Sequence, residues 1–106
     1  MEAITVKELL AAVHGELLQG DETAQILGVN TDSRTVKAGE VFVPLVGERF
    51  DGHDYIEKAI SAGAEGCLCA RVPETLLPGK FYIKVSDTLL ALKDLAAWYR
   101  DRKSTR

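Results

Sequence analysis

Val41-Phe42-Val43-Pro44-Leu45-Val46 runs straight into Gly47-Glu48-Arg49-Phe50-Asp51-Gly52-His53. A helical stripe of Tyr55, Ile56, Ala59 and Ile60 follows, closed by Gly63, and then comes Gly66-Cys67-Leu68-Cys69-Ala70. The first apolar run is continuous rather than alternating, the pattern of a strand covered on both faces. Pro44 has no N–H for a ladder, so it points to an edge or a bulge. Asp54 and Glu57 are spaced as a helix cap and its third-position partner. Strand, helix and strand at this spacing argue for an α/β fold with a small mixed, partly parallel sheet flanked by helices.

The flanks extend this pattern. Thr5 and Glu8 form a capping box, with Ile4 and Leu9 as its hydrophobic staple. Leu9, Leu10 and Val13 give that first helix an apolar face, His14 lies in its last turn, and Gly15 is a natural stop. Glu16 to Gln19 and Ile26 to Val29 read as short strands. Between Val29 and Val36 stands a polar run, Asn30-Thr31-Asp32-Ser33-Arg34-Thr35. Beyond a 73–79 loop, Phe81 to Val85 is a further strand. Ser86 or Asp87 then caps a last helix with Leu89, Leu92, Leu95, Ala96 and Tyr99 on one face.

Composition bounds the function. At 106 residues, with 46% hydrophobic and 27% charged residues, the chain is one globular domain. Its apolar runs are too short to span a bilayer, and the N-terminus lacks a secretory pattern, so a cytoplasmic address is the default. Net charge is -3, an acidic balance that disfavours broad nucleic-acid binding. Residues 100–106 are basic and read as a solvated, frayed end. Cys67 and Cys69 share one side of a strand, are too close for an unstrained disulfide, and lack histidines at zinc-finger spacing. They read as packing residues, and no metal site is expected.

Chemistry concentrates in the two polar loops that follow apolar strands, where α/β sheets hold ligands. Arg34, Arg49 and His53 are donors suited to a diphosphate. Gly47 and Gly52 allow backbone amides close to a ligand, Thr31 and Ser33 offer hydroxyls, and Phe50 offers a ring to stack. Each has a plainer reading: Asp32-Ser33 as a turn, Arg34 as a partner of Asp32 or Asp51, Phe50 as core, Gly52-His53-Asp54 as a helix entry. No P-loop, no nucleophile elbow and no convincing nucleophile–base pair is present, so no catalytic residue is assigned. A binding module suits the residues better than a complete enzyme.

Thr31-Asp32-Ser33-Arg34, Gly39-Glu40-Val41-Phe42-Val43-Pro44-Leu45 and Gly47 through Ile56, continued by Gly63-Ala64, Val85-Ser86-Asp87-Thr88 and Leu95-Ala96, resemble the N-terminal domain of the Mur ligases of peptidoglycan synthesis. Gly47-Glu48-Arg49-Phe50-Asp51-Gly52-His53 is most similar to the branch that adds D-alanyl-D-alanine. The branch adding the third stem amino acid is the alternative, and a non-catalytic interaction domain is the alternative of another class. The resemblance implies that residues 1–99 bind the UDP end of a UDP-linked muramoyl peptide. It implies that residues 100–106 start a linker toward a central ATP-binding domain, with a C-terminal domain beyond. ATP and Mg2+ then serve the full-length ligase, with no cofactor in this fragment. Thr31, Asp32, Ser33 and Arg34, with Gly47, Glu48, Arg49, Phe50, Asp51, Gly52 and His53, are the implied UDP-binding residues. Ser33 is placed toward diphosphate or ribose, and Glu48, Arg49 and Phe50 toward uracil. Asp32 and Arg34 serve equally as internal braces of those loops.

Overall fold

In the computed structural model, residues 2–104 are described. The elements are β1 (Ile4–Thr5), α1 (Val6–Val13), β2 (Glu16–Gln19), β3 (Gln25–Ile26), β4 (Gly28–Asn30) and β5 (Glu40–Phe42). A 3-10 turn (Gly52–Tyr55) leads into α2 (Ile56–Ser61), followed by β6 (Gly66–Cys69), β7 (Phe81–Lys84) and α3 (Thr88–Ser104). The main sheet has strand order β2-β7-β6-β5-β4. Strands β4, β5, β6 and β7 run parallel, and β2 pairs antiparallel with β7 at one edge. The mixed, partly parallel α/β sheet expected from the sequence is therefore present. A two-residue ribbon of β1 against β3 stands beside it.

Alternation along the strands sends side chains to both faces. Val41, Val43, Leu68, Phe81 and Ile83 face α1 and α3, meeting Leu9, Val13, Ala91 and Leu95. Phe42, Cys67, Cys69 and Tyr82 face the opposite way onto Ile56, Ala59 and Ile60 of α2. Both cysteines are free and buried. The two-faced burial explains the continuous apolar runs. The radius of gyration, 12.7 Å, matches the value of about 13 Å for one domain of this length.

Local chemistry sets the element ends. The Thr5 hydroxyl accepts from the Glu8 amide at 3.1 Å, and a Glu8 carboxylate oxygen accepts from the Thr5 amide at 2.9 Å, completing the capping box. Helix α1 stops with His14 in the left-handed region, φ 57°, one residue before the expected glycine. Helix α3 is capped by Asp87 rather than Ser86, its carboxylate accepting from the Leu90 amide at 3.0 Å.

Several expectations are corrected. The strand read from Ile26 to Val29 is two strands, because the Leu27 amide donates to the Gly39 carbonyl at 2.7 Å and breaks the run. The strand read as Val41 to Val46 leaves its ladder after Phe42. Val43 still donates to the Asn30 carbonyl at 2.9 Å, but Pro44 has no N–H to continue. Strand β5 is interior, so Pro44 marks the end of a central strand and not an edge. Asp54 is not the helix cap. Tyr55 holds the cap position of α2 without a side-chain cap bond, and Asp51 caps the preceding 3-10 turn, accepting from the His53 amide at 2.9 Å. On α3 the buried positions are Thr88, Ala91 and Leu95, while Leu89 and Ala96 are exposed. Residues 100–104 continue α3 instead of fraying, and Arg102 ties back to Glu8 at 2.6 Å and lies over the Trp98 ring. Thr105 and Arg106, the rest of the expected linker start, lie outside the described residues.

Candidate functional site

Strands β4 and β5 are parallel neighbours, so their carboxyl ends open side by side. The 31–34 loop leaves β4, and the 43–52 segment leaves β5. Between them lies a hollow of about 460 Å3 lined by Thr31, Asp32, Ser33, Arg34, Phe42, Phe50, Tyr55 and Lys58.

The first wall is built by side chains that imitate backbone turns. Asn30 Oδ1 accepts from the Asp32 amide at 2.8 Å, and Asp32 Oδ1 accepts from the Arg34 amide at 2.8 Å. Asn30 Nδ2 also donates to Glu40 Oε1 at 3.2 Å, tying the loop to β5. The Arg34 guanidinium closes a two-point pair on Asp32, both contacts at 3.0 Å. The Arg34 side chain and amide hold the Asp32 carboxyl below its ordinary value. The brace reading of Asp32 and Arg34 thus describes their geometry. Ser33 is 9% exposed, lines the hollow and has no hydrogen-bond partner among the described residues.

The second wall is a finger. Val46 pairs with Asp51 as an antiparallel bridge. The Gly47 amide donates to the Phe50 carbonyl at 2.7 Å, and the Gly52 amide to the Leu45 carbonyl at 2.8 Å. Both glycine amides are therefore engaged within the finger and not offered to a ligand. A Cβ on Gly52 would sit 2.8 Å from the Leu45 nitrogen and 2.9 Å from its oxygen, so only glycine allows this close approach. Phe50 folds back onto Tyr55, ring centroids 5.5 Å apart and nearly parallel. Glu48 and Arg49 are exposed at the tip.

His53 is set behind the finger. Its Nε2 accepts from the Ala70 amide at 2.9 Å and from the Arg71 amide at 3.3 Å. An accepting Nε2 places the ring proton on Nδ1, which donates to Asp51 Oδ1 at 2.7 Å. Both ring nitrogens are engaged, and the side chain is 3% exposed. Arg71 adds contacts to Asp51 at 3.0 Å and Asp54 at 3.3 Å. The His53 amide foremost, then its ring and Arg71, bring the Asp51 carboxyl down to about 2.

Of the residues expected from sequence, the structure brings Thr31, Asp32, Ser33, Arg34 and Phe50 to one hollow. It puts Gly47, Glu48 and Arg49 on the finger, and Asp51, Gly52 and His53 at its root. Tyr55, Lys58 and Arg71 escaped the sequence reading. Tyr55, the last residue of the 3-10 turn, and Lys58, on α2, are three residues apart, which puts them on one face of the continuous helical run that begins where the finger ends. That spacing was the available signal. Among the described residues, no group of three or more His, Cys, Asp or Glu side chains is arranged to hold a metal. No helix among them is long and apolar enough to cross a membrane.

Comparison with known proteins addresses the same surface. The "Mur ligase family, catalytic domain" matches residues 25–100. The chain is 42% identical over 88 residues to a UDP-N-acetylmuramoyl-L-alanyl-D-glutamate–2,6-diaminopimelate ligase of Phocaeicola vulgatus, covering 83% of this chain and 16% of that protein. It is 39% identical over 106 residues to the UDP-N-acetylmuramoyl-tripeptide–D-alanyl-D-alanine ligase of Escherichia coli, covering 100% of this chain and 22% of that one. A solved structure of the D-alanyl-D-alanyl ligase of Acinetobacter baumannii superposes with a TM-score of 0.87 at 28% identity, over 98% of this chain and 23% of that one. The chain spans about a fifth of the length of the curated relatives it matches. With its β4–β5 loops, its sheet order and this match over most of its length, the chain belongs to the Mur ligase family, as the N-terminal domain its loops resemble.

Proposed function

We propose that this domain grips the UDP end of a UDP-linked muramoyl tripeptide within a ligase that adds D-alanyl-D-alanine. The observation that carries the reading is the hollow beyond β4 and β5. Its volume, about 460 Å3, falls within the range of about 300–1,000 Å3 usual for small-molecule sites. It combines a near-buried, unpartnered Ser33 hydroxyl, cationic side chains and a stacked aromatic pair at the rim. Those are the groups a ribose, a diphosphate and a flat base require. The match of this whole chain to 22% of the E. coli relative and the likeness to solved D-alanyl-D-alanine ligases favour this branch.

The domain's work is remote anchoring. Contacts to the nucleotide hold a distant carboxylate in reach of its reaction partner, and lower the entropy loss of the later step. Ser33 faces diphosphate or ribose, and Phe50, with Glu48 and Arg49 beside it, faces uracil. Asp51, His53 and Arg71 hold the finger in place without touching the nucleotide. The residues described here do not fit ATP and Mg2+, since they form neither a P-loop nor a carboxylate cluster. ATP and Mg2+ would supply carboxylate activation on a central domain reached beyond residues 100–106. The address is the cytoplasm, where a nucleotide-linked precursor is made and used.

The identity of the diaminopimelate ligases to this chain, 42% and 40%, favours a second reading in which the third stem residue is added. Full-length protein supplied with ATP decides between them. Joining D-alanyl-D-alanine to the UDP-linked tripeptide supports the first reading. Joining diaminopimelate to the UDP-linked dipeptide supports the second and contradicts the first.

A further inference from the structure

We propose that Lys58, on α2, is the cation that faces the diphosphate in the hollow. This rests on the UDP-binding reading and assigns one of its contacts. Three charged side chains line the hollow: Asp32, Arg34 and Lys58. Asp32 and Arg34 cancel each other through their two contacts at 3.0 Å. What remains is one net positive charge, that of Lys58, in a chain whose net charge is -3.

Most alternative anion donors are engaged elsewhere, and Arg49 stands exposed on the finger, outside the lining of the hollow. The amides of Gly47 and Gly52 serve the finger. The amides of Asp32, Arg34 and Thr35 serve the 30–35 loop. His53 holds Asp51 and the Ala70 amide. Among the described residues, the Lys58 ammonium has no hydrogen-bond or ion-pair partner. An exposed ammonium on a flexible stem reaches an anion as a point charge, with no fixed fork to orient. With Ser33 and Lys58 both lining the hollow, a diphosphate there gains a hydroxyl from one and a charge from the other.

The test compares UDP with uridine, followed by amide NMR on this chain, for wild type, Lys58→Met and Lys58→Arg. Lys58 is exposed, so Lys58→Met should keep the wild-type spectrum outside the hollow. The proposal expects Lys58→Met to weaken UDP about tenfold, the scale of one lost charge-assisted hydrogen bond. It expects uridine binding to stay unchanged, Lys58→Arg to keep most of the affinity, and the salt dependence of UDP binding to become shallower. Equal UDP affinity in Lys58→Met and wild type overturns the Lys58 assignment while leaving the UDP reading standing. Equal loss of UDP and uridine also overturns it, because that marks a structural role. A wild-type spectrum that does not move with millimolar UDP overturns the UDP reading itself.

Discussion

His53 shows how one side chain can hold a functional loop. Its Nε2 accepts two backbone amides from the end of β6, and its Nδ1–H donates to Asp51. Replacing it with alanine leaves the half-buried Ala70 amide without its acceptor and opens space at the finger root. His53→Ala should cost about 2 kcal/mol in urea unfolding, the scale of an orphaned donor together with the loss of a buried side chain. Asp51 makes the same brace sensitive to acid. Its carboxyl is lowered from 3.8 to about 2 in the folded chain, first by the His53 amide. A lowered carboxyl stabilises the fold above its ordinary value and loses that contribution as pH falls from about 4 toward 2. Unfolding followed across this window should show Asp51→Asn with a flatter acid limb than wild type. The links from His53 to Ala70 and from Asp51 to Arg71 were hidden in the sequence because they join residues 17 and 20 apart. Lys58 and Tyr55 were hidden differently: their spacing puts them on one helical face, but it gives no sign that the finger folds against that face. The 30–35 loop was legible because Asn, Asp and Ser build turns through contacts with near neighbours.

At the scale of elements, the finger is a hairpin whose two glycines play unequal parts. A Cβ on Gly52 meets the Leu45 backbone and the Pro44 Cα, all within 2.9 Å. A Cβ on Gly47 finds only the Phe50 carbonyl, at 3.9 Å. Gly52→Ala should lower the melting temperature clearly, at a cost of about 1–3 kcal/mol as for other overpacked sites. Gly47→Ala should leave it nearly unchanged. Equal effects would show that the finger relaxes freely. The finger also explains why the strand read as Val41 to Val46 ends early. Hydrophobicity continues through Leu45, but Pro44 withdraws the donor that the ladder needs. Apolar pattern reports burial, and it cannot report where hydrogen bonding stops. The α1 capping box, by contrast, was readable because both partners lie within one helical turn.

For the whole molecule, two apolar layers clamp one sheet, and the hollow sits where both neighbouring strands β4 and β5 end. Leu68, fully buried in the interior strand β6, belongs to the layer under α1 and α3. Leu68→Ala should cost about 2–5 kcal/mol in denaturant unfolding. That is a large part of the roughly 5–15 kcal/mol that holds a domain of this kind. The sheet order brings the loops after β4 and β5 together, and the connectivity of strand, helix and strand made that arrangement readable. The position of the antiparallel edge strand β2 was not readable, because its pairing with β7 joins residues more than sixty apart. The central claim is that the hollow receives the nucleotide end of the substrate. Intermolecular NOEs between the UDP-linked muramoyl tripeptide and this chain test it most directly. The account predicts contacts from the uracil and ribose protons to Phe50, Tyr55 and the 31–34 loop. Contacts confined to a separate cleft behind the finger root, lined by Arg71, Pro73 and Tyr82, would contradict it.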